Sequence, residues 1–313
     1  MKKNITLLTG ILSLQLVIAV SVFLLTSTGS GEFTSEPLLS FENDRLDRIV
    51  ISGGDDEVTL LKNDEQWLLA NKNLPIEQEK LEHLLKNLTG LQTTWPVSTT
   101  SSSHERFEVS DDKSRRKISL FEGNKSVPAI FVGTSPGFKK SHLRVDDHDE
   151  VYALKFNAYD APATKKDWLD KSLLALTSVT HINTGDYRLI KDGELWRAEP
   201  ELNKREVDQG KVNEFANAIG TFKVKAIADD APEFVNDKSI VLDVDNGDKY
   251  SITLMEDDGK YYVKRTGINH VFTLSQYEYE DLAIANIESF TSVKVTEDNV
   301  GVKGGSKEKI VQQ

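Results

Sequence analysis

The chain has 313 residues, a formal net charge of −12 and no Cys. That length suggests two domains of ordinary size. The acidic balance argues against nucleic acid as a partner, because phosphate binding needs a basic stripe. The lack of Cys removes disulfides, thiolate nucleophiles, cysteine zinc sites and a lipid-attachment thiol.

Met1-Lys2-Lys3-Asn4 precedes an uncharged run, Ile5 to Thr26. As a helix this run rises about 33 Å, enough for a hydrocarbon core of about 30 Å. The sequence therefore predicts a transmembrane helix over 5–26 behind a cytoplasmic stub, 1–4. Lys2 and Lys3 have no basic counterpart in Ser27 to Phe41. The positive-inside rule then places the N-terminus in the cytoplasm and the bulk of the chain in the periplasm. No Ala-x-Ala follows the run, although a peptidase would tolerate Ser27-Thr28-Gly29-Ser30. An uncleaved anchor in inner-membrane lipid is preferred to a cleaved signal peptide. Residues 27–40 read as a linker.

Beyond it the chain states one pattern twice. Leu60-Leu61-Lys62-Asn63-Asp64-Glu65-Gln66-Trp67 returns without a gap as Leu189-Ile190-Lys191-Asp192-Gly193-Glu194-Leu195-Trp196. Asp192-Gly193 between strand-like runs is a hairpin signal, and Asn63-Asp64 is the weaker counterpart. An amphipathic helix follows each hairpin. Leu81, Leu84, Leu85, Leu88 and Leu91 match Val212, Phe215, Ala216, Ile219 and Phe222, all on one helical stripe. Glu77 and Asp208 open the two helices, where a carboxylate suits the dipole. Trp67 and Trp196 are expected to anchor the core of each copy.

The copies close alike. Leu143-Arg144-Val145 leads to Val151-Tyr152-Ala153-Leu154, and Val263-Lys264-Arg265 leads to Val271-Phe272-Thr273-Leu274. The first copy carries extra loop, including Ser98 to Ser103, within a Ser/Thr segment from Thr93 to His104. Trp168-Leu169-Asp170 begins the junction. In the second copy Ile240, Leu242 and Val244 alternate before Asn246-Gly247, and Tyr250, Ile252 and Leu254 alternate after it. That hairpin has one wet and one buried face. The fold class is α+β, with tandem repeats over 41–175 and 176–291, each of antiparallel hairpins plus one amphipathic helix, and a flexible tail over 292–313.

No chemistry stands out. His142, Asp146, Asp147, His148 and Asp149 cluster, but at a turn where acids are common because turns are wet. Asp243 to Asp248 begins like a calcium loop, yet Gly falls at position five and Leu254 stands at twelve. No Gly-x-Ser-x-Gly, phosphate loop or His-Glu-x-x-His occurs. We assign no catalytic, cofactor-binding or metal residues.

A basic start, one span, strand pairs ending in Trp67 and Trp196, the links Leu74-Pro75 and Glu199-Pro200, an amphipathic helix after each, and Trp168-Leu169-Asp170 together resemble the bacterial domain-of-unknown-function family 4340. The resemblance covers residues 41 to 290. Members are membrane-tethered envelope proteins often encoded beside ABC transporter subunits related to a gliding-motility system. The resemblance implies a non-catalytic accessory or binding subunit whose partner is an ABC transporter membrane subunit, and it carries over no catalytic residue. Two alternatives stand beside it. One is an envelope scaffold or regulator binding another envelope protein. The other is an envelope hydrolase, which would need two facing carboxylates of perturbed pKa.

Overall fold

The structure, a computed structural model, describes residues 2–27, 34–137, 139–183, 187–235 and 239–294, with the side chains of 2–9, 23–27 and 239–243 excepted. Antiparallel sheets dominate and helices are few. Two compact units divide after Leu169. The expected tail residues 295–313 and linker residues 28–33 fall outside the described residues.

Helix α1 runs Lys2–Ser27. Its side chains at 10–22 are all exposed, including Leu12, Leu14, Leu16 and Ile18. That stretch rises only about 20 Å, and among the described residues no helix is long and apolar enough to cross a membrane.

The first unit holds β1 (Arg48–Gly53), β2 (Asp56–Asn63), β3 (Gln66–Leu69), β4 (Leu74–Pro75), α2 (Gln78–Thr89), α3 (His104–Phe107), β5 (Arg116–Glu122), β6 (Lys125–Ser126), β7 (Ile130–Val132), β8 (Ser141–Val145), β9 (Tyr152–Leu154) and α4 (Lys165–Trp168). Its sheet runs β4-β3-β2-β1-β5-β7-β8-β9, with β6 on β5. The second unit holds β10 (His181–Asn183), β11 (Arg188–Asp192), β12 (Leu195–Glu199), β13 (Arg205–Val207), α5 (Gln209–Thr221), β14 (Ala226–Ile227), β15 (Ser239–Asp245), β16 (Lys249–Asp257), β17 (Lys260–Arg265), β18 (Phe272–Leu274), α6 (Gln276–Ala283) and β19 (Thr291–Val293). Its main sheet runs β12-β11-β10-β15-β16-β17-β18-β14, and β13 pairs with β19.

Read from β3 and from β12, seven strands follow in the same order. One row shows why each sheet has a core face. Leu69 pairs with Leu60, Leu60 with Ile49 and Ile49 with Leu120. Ala198 pairs with Leu189, Leu189 with Ile182 and Ile182 with Val244. All eight side chains are buried. Strand side chains alternate between faces, so one buried row fixes the face of every other residue.

The Trp hairpins share a register, Lys62 opposite Trp67 and Lys191 opposite Trp196. Both turns fall one residue later than the sequence suggests, because Asn63 pairs with Gln66 and Asp192 with Leu195. The first loop position takes positive φ, 53° at Asp64 and 63° at Gly193. Asp tolerates that region and Gly adopts it freely. Trp67 and Trp196 are buried. In the second unit the hairpin is tied to its helix: Trp196 Nε1 donates to Asn213 Oδ1 at 2.8 Å, and the Gln209 side chain bonds both the N–H and the C=O of Trp196. Each helix buries the expected stripe, Leu81, Leu84, Leu85 and Leu88 in α2 and Val212, Phe215 and Ile219 in α5. Ala216 is only half-buried. Glu77 and Asp208 are the N-caps, and only the Asp208 side chain makes a capping bond.

Each unit closes by returning to the start of its helix. Glu77 N–H donates to Trp168 O at 2.8 Å, and Ile76 bridges to Leu169. Asp208 N–H donates to Phe290 O at 2.9 Å, and Val207 pairs with Thr291. This closure puts the division at Leu169 rather than at 175/176. Thr291–Val293 accordingly belongs to a strand, so the unit extends past residue 291. At the other end the expected linker is tied down, because Leu38 N–H donates to Leu91 O and Leu39 is buried.

The Thr93–His104 segment is more than a loop. It bridges to Val151 through Ser98, turns through 101–103 and leads into α3. Residues 107–108 then pass directly over Gly133, where a Cβ would overlap the carbonyl oxygens of Phe107 and Glu108. Gly133→Ala should cost about 1–3 kcal/mol by overpacking, read as a lower urea midpoint by Trp fluorescence. An unchanged midpoint would contradict this close pass. Trp196→Ala should cost about 3–5 kcal/mol, read as lost amide-exchange protection in α5, with protection in α2 kept.

Candidate functional site

Pairing extends the correspondence between the two sheets. Ile118 pairs with Ile130 and Ile130 with Val145; Leu242 pairs with Ile252 and Ile252 with Arg265. On the opposite face, Phe131 pairs with Arg144 and Thr253 with Lys264. Phe131 thus stands where Thr253 stands, and Arg144 where Lys264 stands.

In the first unit this second face is sealed. Every residue of β7 and β8 is buried. Val109 and Val151 pack with Phe131, and Phe107 lies against them. Arg144 is 4 % exposed, its guanidinium 4.1 Å from the Phe131 ring centre. Its Nε donates to Val109 O at 2.7 Å, and Nη2 approaches Asp111 at 3.3 Å. A buried cation requires such partners.

In the second unit Met255 and Tyr262 on the same face are buried, and the rest of it is less covered. Ser251, Thr253 and Lys264 are half-buried and Thr266 is exposed. Two clefts lie along it and share Ser251 and Thr266. The larger, ≈ 510 Å³, is lined by His181, Asn183, Arg188, Asp245 and Lys249. The smaller, ≈ 290 Å³, is lined by Thr253, Lys264, Asn269 and His270. The Lys264 ammonium lies 4.4 Å from the Phe234 ring centre. Asp245 organises the larger cleft. Its Oδ2 is 3.9 Å from His181 Nδ1 and 3.8 Å from Arg188 Nη2, while Oδ1 accepts from Gly247 N–H at 2.8 Å. Thr180 Oγ1 lies 3.0 Å from His181 Nδ1 and donates to Asp245 O at 2.8 Å. The segment that begins like a calcium loop is therefore a braced hairpin turn.

Arg265 occupies the Val145 position on the other face. It donates to Leu174 O and Ala175 O at 2.9 and 3.3 Å, and its guanidinium lies 5.0 Å from the Tyr250 ring centre. A third cleft, ≈ 660 Å³, runs between α5 and α6 beside Phe215 and Phe290. Burial, with Asp281 nearby, raises the Glu278 pKa.

The His142–Asp149 cluster does not converge. His142 Nδ1 bonds Thr134 Oγ1 at 2.8 Å, and its ring packs 4.4 Å from Phe107. Asp146 accepts from Asp147 N–H, and His148 faces Glu150 at 3.8 Å. Among the described residues no three His, Asp or Glu are placed to hold a metal ion, and no Asp or Glu is buried. The open face offers charge, hydroxyls and a paired His. Those groups bind polar ligands; they do not by themselves make a nucleophile. Sequence reasoning expected a wet face on this hairpin but assigned it no role. Its signal was the alternation of Ser251 and Thr253 with Ile252 and Leu254, set against the longer Ser/Thr loop of the first copy.

Burial lowers the His142 pKa, and Arg106 adds to the shift against the Thr134 bond. The fold therefore holds the ring neutral. Above its ordinary value of about 6.5 this costs nothing. As pH falls below that, the unfolded chain takes the proton first, and the first unit loses stability until the depressed folded pKa is passed. The urea midpoint should fall more between pH 7.5 and 5.5 in the wild type than in His142→Gln. Equal falls would contradict the assignment.

No curated protein and no solved structure matches the chain. A family model described as "Domain of unknown function (DUF4340)" matches residues 67–239, from the first Trp hairpin to the start of β15. The chain belongs to that family, DUF4340.

Proposed function

We propose that the chain is a single-span, envelope-facing protein that acts as a non-catalytic accessory or binding subunit of an ABC-type transport or envelope system. Its two units are read as products of duplication. Their common strand order, hairpin register and closure at the helix start support that reading.

The observation that carries the binding role is the contrast between the two sheet faces. One face is sealed by its own chain, and the other is polar and open from Asp245 past Thr253 to Lys264. The anchor reading is supported by α1, whose apolar side chains at 10–22 are exposed all round; a helix hydrophobic on every side needs an apolar surrounding. The transporter link rests on what the family resemblance implies. A scaffold that binds another envelope protein differs from this reading only in its partner.

The test is affinity purification of the full chain from detergent-solubilised membranes, with mass spectrometry of bait and partners. The expected result is a bait that keeps residues 5–26 and brings down ABC permease or ATPase subunits. A bait that keeps the segment and recovers no transporter component would contradict the transporter role. Separately, the protein should stay in the membrane pellet through an alkaline carbonate wash; release would contradict the anchor.

A further inference from the structure

We infer that the open sheet face of the second unit docks an acidic peptide segment of a partner protein, with a partner carboxylate on Lys264 in the place that Asp111 takes on Arg144. The inference rests on the reading of the chain as a binding subunit and names the surface and the chemistry of what it binds.

The first unit displays the arrangement in cis. A strand-face cation, Arg144, meets a carbonyl and a carboxylate from the segment that leaves α3 through the left-handed Glu108 and lies over this face. That segment, Phe107 to Asp111, brings Phe107 and Val109 onto an apolar surface made by Phe131. At the matching places the second unit has a hydroxyl, Thr253, and a cation, Lys264. Among the described residues no carboxylate lies within ion-pair distance of Lys264. Among the described residues it is the Phe234 ring that lies over the cation, its centre 4.4 Å from Lys264 Nζ.

Charge points the same way. On this face Arg188, Lys249 and Lys264 line the two clefts against one carboxylate with a described side chain, Asp245, which already faces Arg188 and His181. Among the described side chains this is a local excess of cations in a chain of net charge −12. The clefts join through Ser251 and Thr266 into a strip along the sheet, which suits an extended chain rather than a compact ion. Hydroxyls and charges favour a polar, acidic segment; an apolar one would strand them without partners. Complementary charge also steers association and makes it salt-sensitive.

The probe is a fluorescent hexapeptide with the sequence of Phe107–Asp112, titrated against the full-length protein and followed by anisotropy. Saturable binding is expected, weakening with salt. Lys264→Glu should weaken it at least about tenfold, and Lys264→Ala less. Lys125→Glu, an exposed site in the first unit, should leave it unchanged. A peptide with its acids replaced by amides should bind poorly. Thermal melts of each variant separate lost binding from lost folding. No saturable binding, or equal effects of Lys264→Glu and Lys125→Glu, would overturn the inference. So would displacement by inorganic phosphate at the concentrations where the acidic peptide itself competes, since that describes a site for a lone anion. Co-purification of a transporter without peptide binding would sink the surface and leave the accessory role standing; peptide binding without a transporter would do the reverse.

Discussion

A sheet has two faces, and each must be covered or made tolerable to water. In both units the first face is settled in the same way. A buried row of aliphatic side chains crosses the sheet, and an amphipathic helix carries a matching apolar stripe. Each buried aliphatic side chain contributes roughly 1.5–3 kcal/mol relative to exposure, so the row and stripe set the face of every strand residue. Everything distinctive about the molecule follows from how the second face is treated.

The first unit covers it with a segment of its own chain. This brings backbone so close to β7 that only Gly fits at 133. It also buries Arg144 and so requires Val109 O and Asp111 as partners. Those three features form one device: the close pass, the buried cation and the apolar cluster on Phe131 stand together. In the second unit the Gly is replaced by register with Met255, the Phe by Thr253 and the Arg by Lys264. The device is dismantled: Met255 is buried, but a polar, cationic strip runs past Thr253 and Lys264. On the proposed duplication and docking role, one copy keeps its second face for structure and the other offers it for recognition.

Much of this was legible in the sequence because it is local. The Trp hairpins, the helix stripes and the Asn246-Gly247 turn depend on neighbours in the chain and on periods of 2 and 3.6. The turn residues were read one position early because the register belongs to the pair, Asn63 with Gln66, and not to either strand alone. The less local features were not legible. The return of Leu169 to Ile76 fixes the unit boundary across a long stretch of chain. The Ser/Thr segment looked like loop because its own residues are polar, while its role comes from Phe107 and Val109 just beyond it. The candidate face was half-visible: the alternation in β16 announced a wet face, but nothing in one strand says that the matching face of the other unit is closed.

The central claim is that the second unit's open face is where a partner sits. Site-specific photo-cross-linking in living cells tests it most directly, with a photoreactive residue in place of Thr253 and, as comparison, in place of Leu61, an exposed strand residue of the first unit. The account predicts a discrete partner adduct from position 253 and none from 61. No adduct at 253, or the same adduct from both positions, would contradict it.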